Sequence, residues 1–75
     1  MQSYIDKYYK IIANNIKKIR LDNELSQESF AEKLGCSREY ISRLENYKEH
    51  ISQQMLLQAS FIFKVNPEYL YTIHE

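Results

Sequence analysis

The sequence contains one glycine, one proline, one cysteine and no tryptophan. So few turn-forming residues argue against a β-sandwich or barrel, which needs many tight turns. A lone thiol, Cys36, excludes an internal disulfide and a metal cluster of the Cys-x-x-Cys kind. No apolar run approaches the roughly 20 residues that span a bilayer, and the N-terminus is too polar for a secretory signal. We therefore expect one cytoplasmic domain, residues 1–75, with no membrane segment.

Acidic and basic residues balance, ten against ten. Nucleic-acid-binding proteins usually carry a basic excess, so this balance counts against such a partner. The charges are unevenly spread, however, because residues 1–23 hold five basic side chains against two acidic ones. A chain of this kind can still present one basic face.

Apolar side chains recur at steps of three and four along the first third of the chain. This spacing predicts a long amphipathic helix over about residues 3–23, of which residues 1–15 form an N-terminal extension. The residues on its apolar face are Ile5, Tyr8, Tyr9, Ile12, Ile16 and Ile19. The first three of these, with Tyr4, either add to a surface for a partner or cover the edge of the core, and the spacing leaves both open.

Two short helices follow, separated by a turn. Ser26 is a typical N-cap for a helix over residues 27–34, and Gly35 stands where a helix end needs a left-handed residue. Ser37 is a second N-cap, for a third helix over about residues 38–46. Two short helices around so tight a turn predict a helix-turn-helix.

Two further helices complete the predicted fold. Ser52 caps a fourth, residues 53–63, and Asn66-Pro67 opens a fifth, since proline is tolerated at the first helical position. Leu70 and Ile73 are expected to pack back onto the core. The expected inner face of the fourth helix is Leu56, Ala59, Ser60 and Phe63. The sequence thus predicts an all-α, compact five-helix bundle.

Four stretches between residues 16 and 70 form a specific combination. They are Ile16-Lys17-Lys18-Ile19-Arg20, Leu25-Ser26-Gln27-Glu28-Ser29-Phe30-Ala31-Glu32-Lys33-Leu34-Gly35, Ser37-Arg38-Glu39-Tyr40-Ile41-Ser42-Arg43-Leu44-Glu45-Asn46 and Val65-Asn66-Pro67-Glu68-Tyr69-Leu70. Together they resemble the lambda repressor–Cro (XRE-type) helix-turn-helix family. The resemblance implies a lambda repressor-like bundle that places its third helix in the major groove of double-stranded DNA.

The same resemblance implies roles for individual residues. Base contacts are expected from Ser37, Arg38, Glu39, Tyr40 and Arg43. Phosphate contacts are expected from Gln27, Ser42, Asn46, Lys48 and Lys17. Gly35 and an ion pair between Arg20 and Glu45 are expected to be structural. The chemistry agrees, because an arginine can fork onto guanine O6 and N7 and a glutamate can accept from cytosine N4. The alternatives are a solvated face of mixed charge and a surface ion pair of little energetic weight.

The loop after the third helix departs from the family pattern. Tyr47 stands where the family usually has glycine, so an aromatic residue is strained if the helix ends there with a positive φ. Glu49 and His50 replace residues that are often basic, and we expect a weaker grip on phosphate in consequence. Lys64 replaces another common glycine.

The resemblance implies a sequence-specific transcriptional regulator, a repressor by default, bound as a homodimer to a palindromic operator. The Arg-Glu-Tyr-Ile-Ser segment is similar to controller proteins of restriction–modification systems, although a phage-type repressor would look alike. The alternative is a protein-interaction module, or an antitoxin-like partner-binding protein with weak DNA affinity. One small core cannot hold all the apolar side chains near the fourth and fifth helices, so an exposed apolar patch is expected there. The expected dimer interface consists of Phe61, Tyr69, Tyr71 and Ile73.

Catalysis is not expected. The sequence has no Ser-His-Asp set and no phosphate-binding loop, and its two histidines, His50 and His74, are isolated. A metal site needs more ligands than these. We expect no cofactor and no metal.

Overall fold

The computed structural model describes residues 4–74, which form five helices and no strand. The helices are α1 (Tyr4–Asp22), α2 (Gln27–Leu34), α3 (Arg38–Glu45), α4 (Gln53–Phe63) and α5 (Pro67–Leu70). The prediction of an all-α, five-helix bundle is confirmed. The predicted start of the first helix at residue 3 lies outside the described residues, and α1 and α3 end one residue earlier than predicted. Among these five helices, none combines the length and the hydropathy that a membrane span requires.

Side chains cap four of the helices at the positions that the sequence predicts. The hydroxyls of Ser26, Ser37 and Ser52 each accept a hydrogen bond from the backbone amide three residues later. Asn66 stands directly before Pro67, and its side chain accepts a hydrogen bond from the backbone amide of Glu68. Each cap satisfies an amide that has no partner inside its own helix, which fixes where the helix begins.

The core lies where α2, α3 and α4 meet the second half of α1. Its largest fully buried side chains are Phe30, Ile16, Leu34, Ile41, Leu44 and Leu70. The ring of Phe63, only partly buried, lies 5.1 Å from that of Phe30 and extends the core. The short helices α2 and α3 each present a narrow apolar stripe to this core, which leaves their other faces polar.

The apolar face of α1 is not covered by the bundle in its first two turns. Ile5 is 64% exposed and Tyr8 is 49% exposed, whereas burial begins at Ile12. The helices packed on α1 do not cover these turns, which instead line an open groove of about 480 Å³ against Leu56 and Tyr71. The expectation that Ile73 packs back onto the core is wrong, since that side chain is 64% exposed.

A buried asparagine joins the two ends of the chain. The Asn15 side-chain amide donates to the backbone carbonyls of Tyr69, Leu70 and Thr72 at 3.2, 2.9 and 2.8 Å. These carbonyls lie at and beyond the end of α5, a helix of one turn whose C-terminal acceptors lack partners within it. Asn15 therefore completes the hydrogen bonding of α5 and fastens it to α1.

Gly35 ends α2 in the left-handed region, with φ 74°. Replacing it with valine should lower the free energy of unfolding by about 1–3 kcal/mol, because a β-branched residue is strained there. The cost is conformational, since an added Cβ would meet only Gln58 Nε2, at an ordinary 3.9 Å. Urea unfolding measures it, and an unchanged midpoint would contradict the prediction. The matched control is Lys64→Gly at φ 57°, which should raise stability by up to about 1 kcal/mol.

Candidate nucleic-acid interface

A three-residue turn sets the angle between α2 and α3. The amide of Gly35 donates to Glu32, and that of Cys36 donates to Ala31 at 3.0 Å, so the end of α2 is closed before Ser37 caps α3. Burial raises the pKa of the Cys36 thiol, which therefore stays protonated near neutral pH. This cysteine is a small packed residue of the turn.

One side of α3 faces outward. Ile41 and Leu44 are buried, and the helical period of 3.6 residues places five polar side chains away from them. We call these the α3 outer face: Arg38, Glu39, Ser42, Arg43 and Asn46. Ser42 is partly buried and the others are exposed.

Two other predicted base contacts flank this face. Ser37 is exposed and is the N-cap of α3, since its hydroxyl accepts a hydrogen bond from the backbone amide of Tyr40. Tyr40 is partly buried, and its hydroxyl accepts a hydrogen bond from the amide of Ser52 at 3.4 Å. Tyr40 thus braces the start of α4 as well as bordering the outer face.

Each arginine on the α3 outer face has a carboxylate near it. Arg38 Nη2 lies 3.9 Å from Glu39 Oε2, and Arg43 Nε lies 3.1 Å from Glu49 Oε1. All four side chains are substantially exposed, so these pairs contribute little to stability. Their consequence is electrostatic, because they lower the positive potential of the surface.

A buried cluster of three side chains holds α3 in place. Arg20 binds both carboxylate oxygens of Glu45, with Nε to Oε2 at 2.7 Å and Nη2 to Oε1 at 3.0 Å. Arg20 also donates to the carbonyl of Leu25, and Gln27 Nε2 donates to Glu45 Oε1 at 3.1 Å. The side chains of Arg20 and Glu45 are only 11% and 4% exposed. This ion-pair cluster joins α1, the start of α2 and the end of α3.

The α3–α4 loop, residues 46–52, is anchored to the part of α1 that belongs to the N-terminal extension. Tyr47 takes φ 63°, the left-handed ending that its position predicts, and its hydroxyl is hydrogen-bonded to Asn14. The imidazole of His50 stacks on Tyr9 with ring centroids 3.8 Å apart, and its Nε2 lies 3.7 Å from Asp6. The loop is therefore held at both ends by the N-terminal extension.

The predicted phosphate contacts lie on several elements. Asn46 donates to the carbonyl of Ser42 at 2.8 Å and so closes the end of α3, while Lys48 is exposed on the loop. Gln27 is partly buried in the ion-pair cluster. Lys17 is exposed on α1, outside the α2–α3 unit.

The residues predicted for a dimer interface lie on α4 and at the end of the described chain. Phe61 is 85% exposed, Tyr71 47% and Ile73 64%. Tyr69 is partly buried, with its ring stacked on His74. Three of the four thus present apolar surface to solvent, and the fourth packs mainly within its own chain.

Sequence reasoning missed the contacts between the loop and α1. Asn14 and Tyr47 are 33 residues apart, and nothing in either local sequence indicates that they meet. The departures from the family pattern at Tyr47 and His50 were the available signal, because both are aromatic and both find partners on the extension. Among the described residues, no group of three His, Cys, Asp or Glu side chains is placed to hold a metal ion.

A capped helix, a three-residue turn and a second helix with an exposed polar face define the class of helix-turn-helix DNA-binding transcriptional regulators. The profile of a family described as helix-turn-helix matches residues 16–70, and the chain belongs to that family. No protein of curated function matches the sequence significantly.

Solved structures share the fold. The restriction–modification controller protein C.AhdI from Aeromonas hydrophila is 20% identical with a TM-score of 0.80, over 92% of this chain and 100% of that one. A hypothetical transcription factor, NHTF, from Neisseria is 23% identical with a TM-score of 0.80, over 88% and 76%. A mutant of the controller protein C.Esp1396I is 25% identical with a TM-score of 0.77, over 95% and 86%. Each similarity covers most of this chain and therefore extends beyond the helix-turn-helix of α2 and α3.

Proposed function

We propose that this protein is a homodimeric, sequence-specific transcriptional regulator, a repressor by default, that reads a palindromic operator. The observation that carries the proposal is the α3 outer face, which is polar, exposed and fixed to the bundle by the buried Arg20–Glu45 ion pair. A rigid helix with an exposed polar side suits insertion into the major groove, where each base pair presents a distinct pattern of donors and acceptors. Such a protein acts where the DNA is, which we take to be the cytoplasm.

Base reading falls to the α3 outer face and its flank. Arg38 and Arg43 are suited to guanine, Glu39 to the amino group of cytosine, and Tyr40 and Ser37 to the edge of the site. Phosphate contacts would set the register of the protein on the duplex without reading sequence. For these we propose Gln27, Ser42, Asn46, Lys48 and Lys17.

Selection of bound sequences from a random duplex pool tests this function. We expect an enriched palindrome whose half-site centres are about one helical turn apart, roughly 10 base pairs, because two copies of α3 would enter successive major grooves. Enrichment of an asymmetric site would contradict the homodimeric arrangement. Enrichment of no sequence would contradict specific DNA binding.

A protein-interaction module is the second candidate, and the carboxylates beside Arg38 and Arg43 favour it. In that case the apolar surface that includes Phe61 would bind another protein, as in an antitoxin. The dependence of affinity on salt separates the two functions. Binding to DNA weakens steeply as salt rises, because phosphate contacts release counter-ions, whereas an apolar protein contact changes little.

The proposed interface between copies includes Phe61, Tyr71 and Ile73, with Tyr69 at its edge. Phe61→Glu should convert the dimer to a monomer in sedimentation equilibrium, because a glutamate in an apolar interface loses its hydration. Leu21→Glu is the matched control, since Leu21 is 54% exposed on α1, and it should leave the dimer intact. A Phe61→Glu protein that remains dimeric would remove Phe61 from the interface.

A further inference from the structure

The contact between Arg43 and Glu49 joins the α3 outer face to the α3–α4 loop. Arg43 donates through Nε to Glu49 Oε1 at 3.1 Å, and the two side chains are 50% and 35% exposed. The pair is too exposed to matter for folding. The pair lies on the surface proposed to contact DNA, so it is placed to affect how DNA is recognised.

Glu49 does not lie on a free loop. Tyr47, two positions before Glu49, is hydrogen-bonded to Asn14. His50, directly after Glu49, stacks on Tyr9 with an angle of 3° between the two rings. Lys10 Nζ lies 5.8 Å from the centre of the Tyr47 ring, within range of a cation–π contact. The backbone that carries Glu49 is therefore held against α1. The Glu49 carboxylate consequently has a fixed position from which it can bind Arg43.

The guanidinium of Arg43 has five N–H donors in a planar fork. Glu49 occupies the one on Nε, and the four on the two terminal nitrogens are left for other acceptors. Two of these suffice for the bidentate contact with guanine O6 and N7. An arginine held by a carboxylate in this way loses less rotamer freedom when it binds, because part of that freedom is already lost in the free protein.

We propose that Glu49 is a specificity-determining positioning residue, which holds Arg43 in the conformation that reads one guanine in each half-site. The inference rests on the proposed function and deepens it. It also gives the acidic loop a role, since a glutamate replaces the basic residue expected there. The negative charge repels phosphate and lowers affinity for all sequences, while the support it gives Arg43 raises discrimination at one base pair.

The test separates discrimination from affinity. Dissociation constants are measured for the selected operator and for operators changed at the Arg43 base pair, and their ratio is the discrimination. For the wild type we expect a ratio of roughly 5- to 150-fold. In Glu49→Ala we expect the ratio to fall about two- to fivefold, the most that an exposed ion pair can contribute, since the arginine must then be ordered on binding. Glu49→Gln, whose amide oxygen still accepts a hydrogen bond, should retain an intermediate ratio.

Two controls complete the design. Glu68→Gln on α5, which packs on α1 and α4, changes charge away from α3 and should leave the ratio unchanged. In an Arg43→Ala background, Glu49→Ala should also leave it unchanged, because the residue that Glu49 supports is absent.

An unchanged ratio in Glu49→Ala, with higher affinity for every duplex, would show that Glu49 acts only through its charge and would overturn the proposal. A higher ratio would overturn it too, because Glu49 would then compete with DNA for Arg43. If the wild type enriches an operator, either result leaves the proposed function intact. If the wild type enriches no sequence, the proposed function and this inference fail together.

Discussion

Replacing Arg20 with alanine is expected to lower the free energy of unfolding by about 3–5 kcal/mol, the usual effect of removing one partner from a buried ion pair. Arg20 supplies the only positive charge bound to Glu45 within the ion-pair cluster, and the Glu45 side chain is 4% exposed. Without it, a carboxylate remains buried with one neutral donor, Gln27. Because domains of this size are only marginally stable, such a loss would leave much of the protein unfolded near physiological temperature.

Urea unfolding followed by far-ultraviolet circular dichroism measures the effect. Lys18→Ala is the matched control on the same helix, since Lys18 pairs with Asp22 at 3.2 Å but both side chains are about half exposed. Removing that pair should cost no more than about 0.5 kcal/mol. If both variants lose the same small amount, the ion-pair cluster does not stabilise the fold as its burial implies.

Arg43→Ala should weaken binding to the selected operator by roughly 5- to 150-fold, which corresponds to the loss of one bidentate base contact. The loss should be confined to operators with the preferred base at one position, so that the variant accepts all four bases there. Folding should be preserved, because the Arg43 side chain is half exposed and makes its ion pair on the surface.

Lys33→Ala is the control for charge alone. Lys33 is exposed in the last turn of α2, so this substitution removes one positive charge outside the α3 outer face. It should weaken binding slightly and equally for all sequences. If Arg43→Ala behaves in the same way, Arg43 is a general contact with the backbone of DNA and not a reader of bases.

The elements of this fold were predictable because their determinants are local. Ser26, Ser37 and Ser52 each cap a helix through an amide three residues away, and Gly35 ends α2 with the positive φ that its position suggested. The ion pair between Arg20 and Glu45 was implied by the resemblance to a family and not by spacing alone. In the structure, Arg20 Nε donates to Glu45 Oε2 at 2.7 Å.

What covers a helix face was not predictable from periodicity. An apolar stripe shows which side of α1 is suited to burial, but it does not show that Ile5 and Tyr8 remain exposed in the folded protein. Polar contacts between distant residues were hidden for the same reason. Glu49 could be recognised as an unusual acid in a loop, but its contact with Arg43 depends on how that loop is held against α1.

The hydrogen bonds of Asn15 have a consequence for the order in which the chain assembles. Asn15 and Leu70 are 55 residues apart, so their contact requires closure of nearly the whole polypeptide, whereas α2 and α3 meet across a turn of three residues. The entropy lost on closing a loop grows with its length, and local contacts form first. We therefore expect the α2–α3 hairpin to belong to the folding nucleus and the docking of α5 to come last. A substitution at Asn15 should then accelerate unfolding and leave the rate of folding nearly unchanged.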